Sequence, residues 1–225
     1  KGEEKMKRRI LLTVLMSLLM VVLVSCVGTP KELKFSDESV KYENGTITYK
    51  GKPYTGKLVT SLVDKAIGYK GFVTLKEGHI EGQIKITSEK NEQELEANVK
   101  DGKFDGQYAV KALEGEITLT LEAGILKAQK INYIDGYKED LTFDTGGLAN
   151  GTVEMGDQKL SFKDGKALHP GQKNSFMIIK YMKETHSLHK EIILNGKITQ
   201  KQDKLLKLDV KAIEREIFSA LLGNQ

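Results

Sequence analysis

The chain has no tryptophan, three prolines and one cysteine, and only 7% of its residues are aromatic. A single cysteine excludes any internal disulfide, and with it a small disulfide-stapled scaffold. It equally excludes a cysteine-rich zinc site. Three prolines in 225 residues exclude a proline-rich spacer. An excess of one charge is missing too: 35 basic against 31 acidic residues leave a net +4. Residues 1–25 hold five Lys or Arg and two Glu, residues 26–172 hold 20 basic and 23 acidic side chains, and residues 173–225 hold 10 and 6. A nucleic-acid partner needs a concentrated basic face, so none is expected. The positive C-terminal stretch reads as a solvated face.

What is present in quantity is glycine, 22 residues, within a chain that is 39% apolar and 29% charged. That is the profile of a folded domain with many turns, long enough for one large domain or two small ones. One long hydrophobic run stands apart. Lys7, Arg8 and Arg9 follow Met6, and Ile10 to Val24 is then interrupted only by Thr13 and Ser17. Leu23-Val24-Ser25-Cys26 closes the run. Positive charge, short apolar core and a small residue before a cut form an export signal. A spanning helix needs about 20 apolar residues, more than this core supplies.

The ending Leu23-Val24-Ser25-Cys26 resembles the lipobox of bacterial lipoproteins. That resemblance implies a diacylglyceryl group on the Cys26 thiol, cleavage after Ser25, and acylation of the new amino terminus by palmitate or a similar chain. Two or three acyl chains, at about 0.8 kcal/mol per buried CH₂, suffice for stable anchoring. An unpaired cysteine in an exported protein also asks for a reason, and lipidation supplies one. An ordinary signal with an incidental cysteine is the plainer alternative. The expected layout is a signal peptide over 1–25, with Met6 as initiator and residues 1–5 non-native, then a lipidated tether over 26–38. Val27 is not the Asp that often marks inner-membrane retention, so an outer membrane is favoured where there is one.

From 39 to 172 a spaced glycine pattern runs through alternating apolar residues. Gly51 and Gly56, Gly78 and Gly82, Gly102 and Gly106, Gly124, and Gly147 and Gly151 bracket short segments. The first glycines of the last four units lie 24, 22 and 23 residues apart, a period that signals repeated structural units. Between them Leu95, Ala97 and Val99, then Ile117, Leu119 and Leu121, step by two, as half-buried strands require. Asn44-Gly45, Glu77-Gly78, Asp101-Gly102, Asn150-Gly151 and Asp164-Gly165 are expected tight turns. The nine glycines at 51, 56, 78, 82, 102, 106, 124, 147 and 151 are therefore read as structural turn residues, not ligand contacts. Ile84, Ile86, Val110, Leu119, Phe143 and Phe162 should point into the core.

The stretches Gly51–Lys57 and Asp101–Tyr108 resemble bacterial variants of the MORN repeat, which builds elongated antiparallel β arrays. Here the family's aromatic positions are mostly aliphatic, and Ala128 stands where a repeat glycine would. The fold expected is mainly β: an antiparallel repeat meander followed by a short C-terminal α+β segment over 173–225. In that segment Phe176–Met182 and Ile192–Leu194 read as strands. Leu206, Val210, Ile213, Ile217 and Leu221 fall at helical spacing from about Lys204, with Gly223 as a stop. The helix either packs on the sheet or caps its open end; a membrane-surface or partner role is the alternative.

No motif of catalysis stands out. His186 and His189 are the only close histidines, and zinc would need a third ligand. His79 and His169 complete the set, and no nucleophile motif accompanies them. The pair Glu139-Asp140 sits among many acids, and neither a phosphate loop nor a dinucleotide fingerprint is present. No catalytic residue, metal or cofactor is assigned. The function expected is that of a membrane-anchored, non-enzymatic cell-envelope lipoprotein, its β-repeat face serving an envelope protein or polysaccharide. Some bacterial MORN-like proteins resemble antitoxins or immunity factors, but an export signal argues against a cytosolic one. The alternatives are an envelope hydrolase acting on glycan or lipid, and a lipid-carrier sheet with an apolar groove lined by strand residues. Cys26→Ser should abolish labelling by a radiolabelled fatty acid and move the protein out of the membrane fraction; unchanged labelling would refute the assignment.

Overall fold

A computed structural model describes residues 29–60, 68–88, 92–168, 174–206 and 208–222. Within Glu32–Gln225, one compact unit, the chain is mainly β, an antiparallel meander followed by a single C-terminal helix. The large sheet has eleven strands: β1 (Glu32–Lys34), β5 (Gly56–Thr60), β6 (Tyr69–Lys76), β7 (His79–Ser88), β8 (Gln93–Lys100), β9 (Lys103–Ala112), β10 (Gly115–Glu122), β11 (Ile125–Tyr133), β12 (Lys138–Phe143), β13 (Ala149–Met155) and β14 (Gln158–Phe162). They neighbour one another in that order. From β5 to β14 all pairings are antiparallel, while β1 joins β5 in parallel.

Two rows of side chains run across this sheet on one face. In the first, Ile86, Leu95, Val110, Ile117, Ile131, Glu139, Val153 and Leu160 are successive cross-strand partners. In the second, Val73, Ile84, Ala97, Tyr108, Leu119, Gln129, Leu141, Gly151 and Phe162 follow one another in the same way. Such aligned rows are what a period of two produces once the turns fix the register. This apolar face is the core, and three pieces of the chain cover it.

One cover is a small sheet of β2 (Val40–Glu43), β3 (Thr46–Tyr49) and β4 (Lys52–Pro53). It is joined to the β6–β7 turn, where Ile47 N donates to the Gly78 carbonyl and Gly78 N to the Tyr54 carbonyl. A second cover is α1 (Val210–Leu222). Asp209 caps it, its carboxylate accepting from Lys211 N at 3.0 Å. Phe218, fully buried, lies between the rings of Phe35 and Tyr42. The third cover is the sheet β15 (Lys166–Leu168), β16 (Phe176–Met182), β17 (Ser187–Leu194) and β18 (Lys197–Leu205). It is tied down by Tyr181 N to Gly147 O, 2.7 Å, and Ile179 N to Gly165 O, 2.9 Å.

The glycine spacing resolves into two different jobs. Glu77-Gly78, Asp101-Gly102 and Ala123-Gly124 are two-residue turns with positive φ at both positions, the type whose twist matches the flanking strands. Four residues on, Gly82 and Gly106 lie inside β7 and β9, where the pairing slips by two residues between Val73/Leu75 and Ala97/Val99. The unit is thus a turn followed by a bulge. Ala128 stands beside a smaller slip of one residue, between Thr120/Leu121, without a glycine.

Several expectations need correcting. Gly56, Gly82, Gly106 and Gly151 are strand residues, not turn residues. Asn150-Gly151 pairs inside β13, and the turn before it is the loop Asp144–Leu148, held by Asp144 Oδ1 accepting from Gly146 N and Leu148 N. Val110 is only half-buried, unlike Ile84, Ile86, Leu119, Phe143 and Phe162, which are buried. The helix begins at Val210 and not near Lys204, because Lys197–Leu205 is an edge strand exposed at all nine positions, which leaves no apolar alternation to read. The expected tether overlaps β1, and both Leu33 within that strand and Phe35 just after it are core residues. Three residues are too few to show a period. Residues 173–225 are no separate segment, since their sheet starts at Lys166 and their helix returns to β2 and β7.

Glycine at 151 is required for space as well as for conformation. A Cβ there would lie 2.0 Å from the Asp140 carbonyl oxygen, whereas at Gly102 it would meet nothing within 4 Å. Gly102→Ala should cost about 1–2 kcal/mol, the left-handed penalty alone. Gly151→Ala should cost clearly more, since β12 and β13 must separate. Urea unfolding of both variants checks the order; equal losses would show that backbone crowding is relieved at no cost.

Candidate functional site

The three covers do not close over the whole apolar face. Across the middle of the sheet, on β8, β9 and β10, Leu95, Tyr108, Val110 and Ile117 stay half-buried. Two adjoining cavities occupy this strip. The first, of about 300 Å³, lies between the sheet and α1, with Ile86, Leu95, Ile213, Ile217 and Leu221 among its walls. The second, of about 310 Å³, lies under β17, β18 and the segment leading to α1, against Ile117, Leu119, Ile131, Leu188, Leu206 and Leu208. Tyr108 and Val110 line both. The Tyr108 hydroxyl is pushed above the usual tyrosine range, by burial first and by nearby Glu216 second, so it remains a neutral phenol at physiological pH.

Charge is divided between the two ends. Glu94 and Glu216 stand at the first cavity, and Lys190 and Lys204 at the second. Glu94 is 3.2 Å from Lys85. Lys190 belongs to a buried polar group centred on Glu139. The two core rows each carry one polar interruption near this point, Glu139 and Gln129, both 2% exposed. Glu139 Oε2 accepts from Gln129 Nε2, and Oε1 accepts from Tyr137 OH and from Lys190 Nζ. Lys190 Nζ also lies 3.4 Å from the Tyr137 oxygen. Burial, followed by donation to Glu139, raises the Tyr137 hydroxyl far above its ordinary range, which fixes it as a donor. With three partners on its two oxygens, Glu139 is a structural anion joining β12 to β17, not a free base.

This group escaped sequence reasoning, yet one signal pointed to it. Leu141 and Phe143 set the phase of β12, and Glu139 lies two residues earlier on the same face. Its partner Lys190 is 51 residues away and could not be inferred. The repeat glycines do not line either cavity among the described residues. Cys26 and His169 lie outside the described residues. The histidine pair has separate surroundings: His186 Nδ1 is 2.8 Å from Tyr181 OH, while His189 is held between Asp203 on Nδ1 and Glu191 on Nε2. Those carboxylates address opposite edges of one ring and share no centre. Among the described residues no cluster of three His, Cys, Asp or Glu side chains is placed to hold a metal ion.

Because Glu139 is fully enclosed and Lys190 about a quarter exposed, Lys190→Met should strand the carboxylate and destabilise by up to about 3–5 kcal/mol. Adding Glu139→Gln should recover much of that loss, since a neutral amide leaves no stranded charge, its oxygen accepting from Gln129 and its NH₂ donating to the Tyr137 oxygen. Thermal unfolding of the single and double variants decides it; additive losses would mean the ion pair is uncoupled. No protein-family model matches the chain, and no curated protein matches it.

Proposed function

We propose that this is a non-enzymatic, lipid-anchored binding protein of the cell envelope that holds an apolar ligand on the inner face of its large sheet. The observation carrying the binding role is the uncovered strip over β8, β9 and β10. A face that is apolar from β6 to β14 is covered at both ends and left half-open in the middle, with adjoining cavities of about 300 and 310 Å³. Small-molecule sites are concave and mainly apolar, with a few placed polar groups, and the strip has that make-up.

The anchor half of the proposal rests on the Leu23 to Cys26 motif behind its apolar run. The turn-and-bulge unit recurring at Gly78/Gly82 and Gly102/Gly106 supports a degenerate MORN-like origin for the sheet. A lipid-carrier sheet is the function that this geometry supports best. A polysaccharide is recognised through polar groups matched to its hydroxyls, and the floor of this strip offers mainly aliphatic side chains.

Binding can be tested with the full chain held in amphipol. A neutral solvatochromic dye such as N-phenylnaphthylamine should show saturable fluorescence gain. Val110→Trp, which fills the floor shared by both cavities, should remove most of that gain while leaving the melting temperature within a few degrees. Dye binding unaffected by Val110→Trp would place the site elsewhere and overturn the reading.

A further inference from the structure

The strip carries charge of opposite sign at its two ends, and that asymmetry specifies more than an apolar ligand. We propose that the adjoining cavities act as one channel for a single-chain anionic amphiphile of the long-chain fatty acid class, its tail across β7–β11 and its carboxylate at Lys204. The inference rests on the binding role proposed above and deepens it.

Three observations carry it. The first is length. Ile86 on β7 lines one cavity and Ile131 on β11 lines the other. Four interstrand steps of 4.7–4.9 Å separate them, about 19 Å in all. Carbon–carbon bonds of about 1.5 Å advance an extended chain by about 1.3 Å each, so about fifteen carbons span the distance. The second is volume. Between Ile117 and Leu119 on the floor and Leu206 and Leu208 above, the second cavity holds about 310 Å³, a space that suits one extended chain better than two.

The third observation is charge. An anion entering at the first cavity would meet Glu216, with Glu94 beside it paired to Lys85, and like charges repel most strongly where water is partly excluded. At the other end, Lys204 makes no ion pair among those found in the described residues, while Lys190, which also lines that cavity, is paired with Glu139. A carboxylate there takes charge-assisted hydrogen bonds. The polar end also has a way out: Lys204 and Leu205 belong to the exposed edge strand β18, so the head reaches water while the tail stays on the sheet.

The probe is cis-parinaric acid, titrated into the full chain in amphipol and displaced by palmitate or by hexadecanol, which has the same tail with a neutral head. Palmitate should displace it at least about tenfold better than hexadecanol, as expected when a charge-assisted hydrogen bond is lost. Lys204→Glu should cut palmitate affinity by a similar factor and leave hexadecanol unchanged. Because Lys204 is exposed, that variant should melt as the parent does. If palmitate and hexadecanol compete equally, or Lys204→Glu changes neither, the anionic head is refuted while an apolar site stands. If neither ligand displaces the probe and the neutral dye fails to bind, both the amphiphile and the underlying binding role fall.

Discussion

A wide sheet with one dry face must be covered, and most of this fold is a consequence of that requirement. From β7 to β14, antiparallel strands in sequence present two rows of mainly apolar residues to one side. Leaving such a face in water forfeits about 25 cal/mol for every Å² of apolar surface. The meander cannot cover itself, since every consecutive strand adds to the width of the sheet and none to its thickness. The covers therefore come from outside the repeats: β2–β4 before them, and β15–β18 with α1 after them. The C-terminal chain visits both ends of the sheet, with Tyr181 against Phe143 and Phe218 against Phe35. Between the two landings the segment around Leu206 and Leu208 crosses the middle, and the second cavity lies beneath it.

The same turns that set the register of the large sheet also receive its covers. Gly78 exchanges backbone hydrogen bonds with the small N-terminal sheet, and Gly147 and Gly165 accept from β16. A side chain at Gly78 or Gly147 would meet another strand's backbone oxygen within 2.7 Å or 2.1 Å. These glycines are thus fixed by tertiary contact, whereas Gly45, Gly51, Gly102 and Gly196 face open space and answer only to local φ. Spacing alone could not separate the two groups.

What the sequence made legible follows from the range of each interaction. Turns and alternation are local, and a period near 23 multiplied the signal, so the meander from β6 to β14 was readable. The bulge was not, because Gly82 and Gly106 share the spacing of turn residues while sitting inside strands. β18 was unreadable for a different reason: Lys197, Lys201 and Lys204 on a fully exposed edge suit a strand that must resist pairing with another chain, and that protection removes apolar periodicity. The strip, too, was out of reach. Val110 has the same phase as buried Leu119 in the alternating pattern, and only the path of the C-terminal segment leaves one half-exposed and the other covered.

The polar group at Glu139 shows how the channel and its cover depend on each other. A carboxylate placed in an otherwise apolar row is costly unless partnered, and its cationic partner lies on β17, within the covering sheet. Hydrophobic contact alone would tolerate that sheet sliding along the face, since aliphatic surfaces are nearly interchangeable. A single buried ion pair is not, because any shift of β17 along β12 separates Lys190 from Glu139. Lys190 also lines the second cavity, so the interaction that fixes the cover in place fixes the polar end of the channel with it. Stability of the two-sheet arrangement and placement of that charge are in this protein one constraint, which is why Glu139 interrupts a row where isoleucine or valine would otherwise serve.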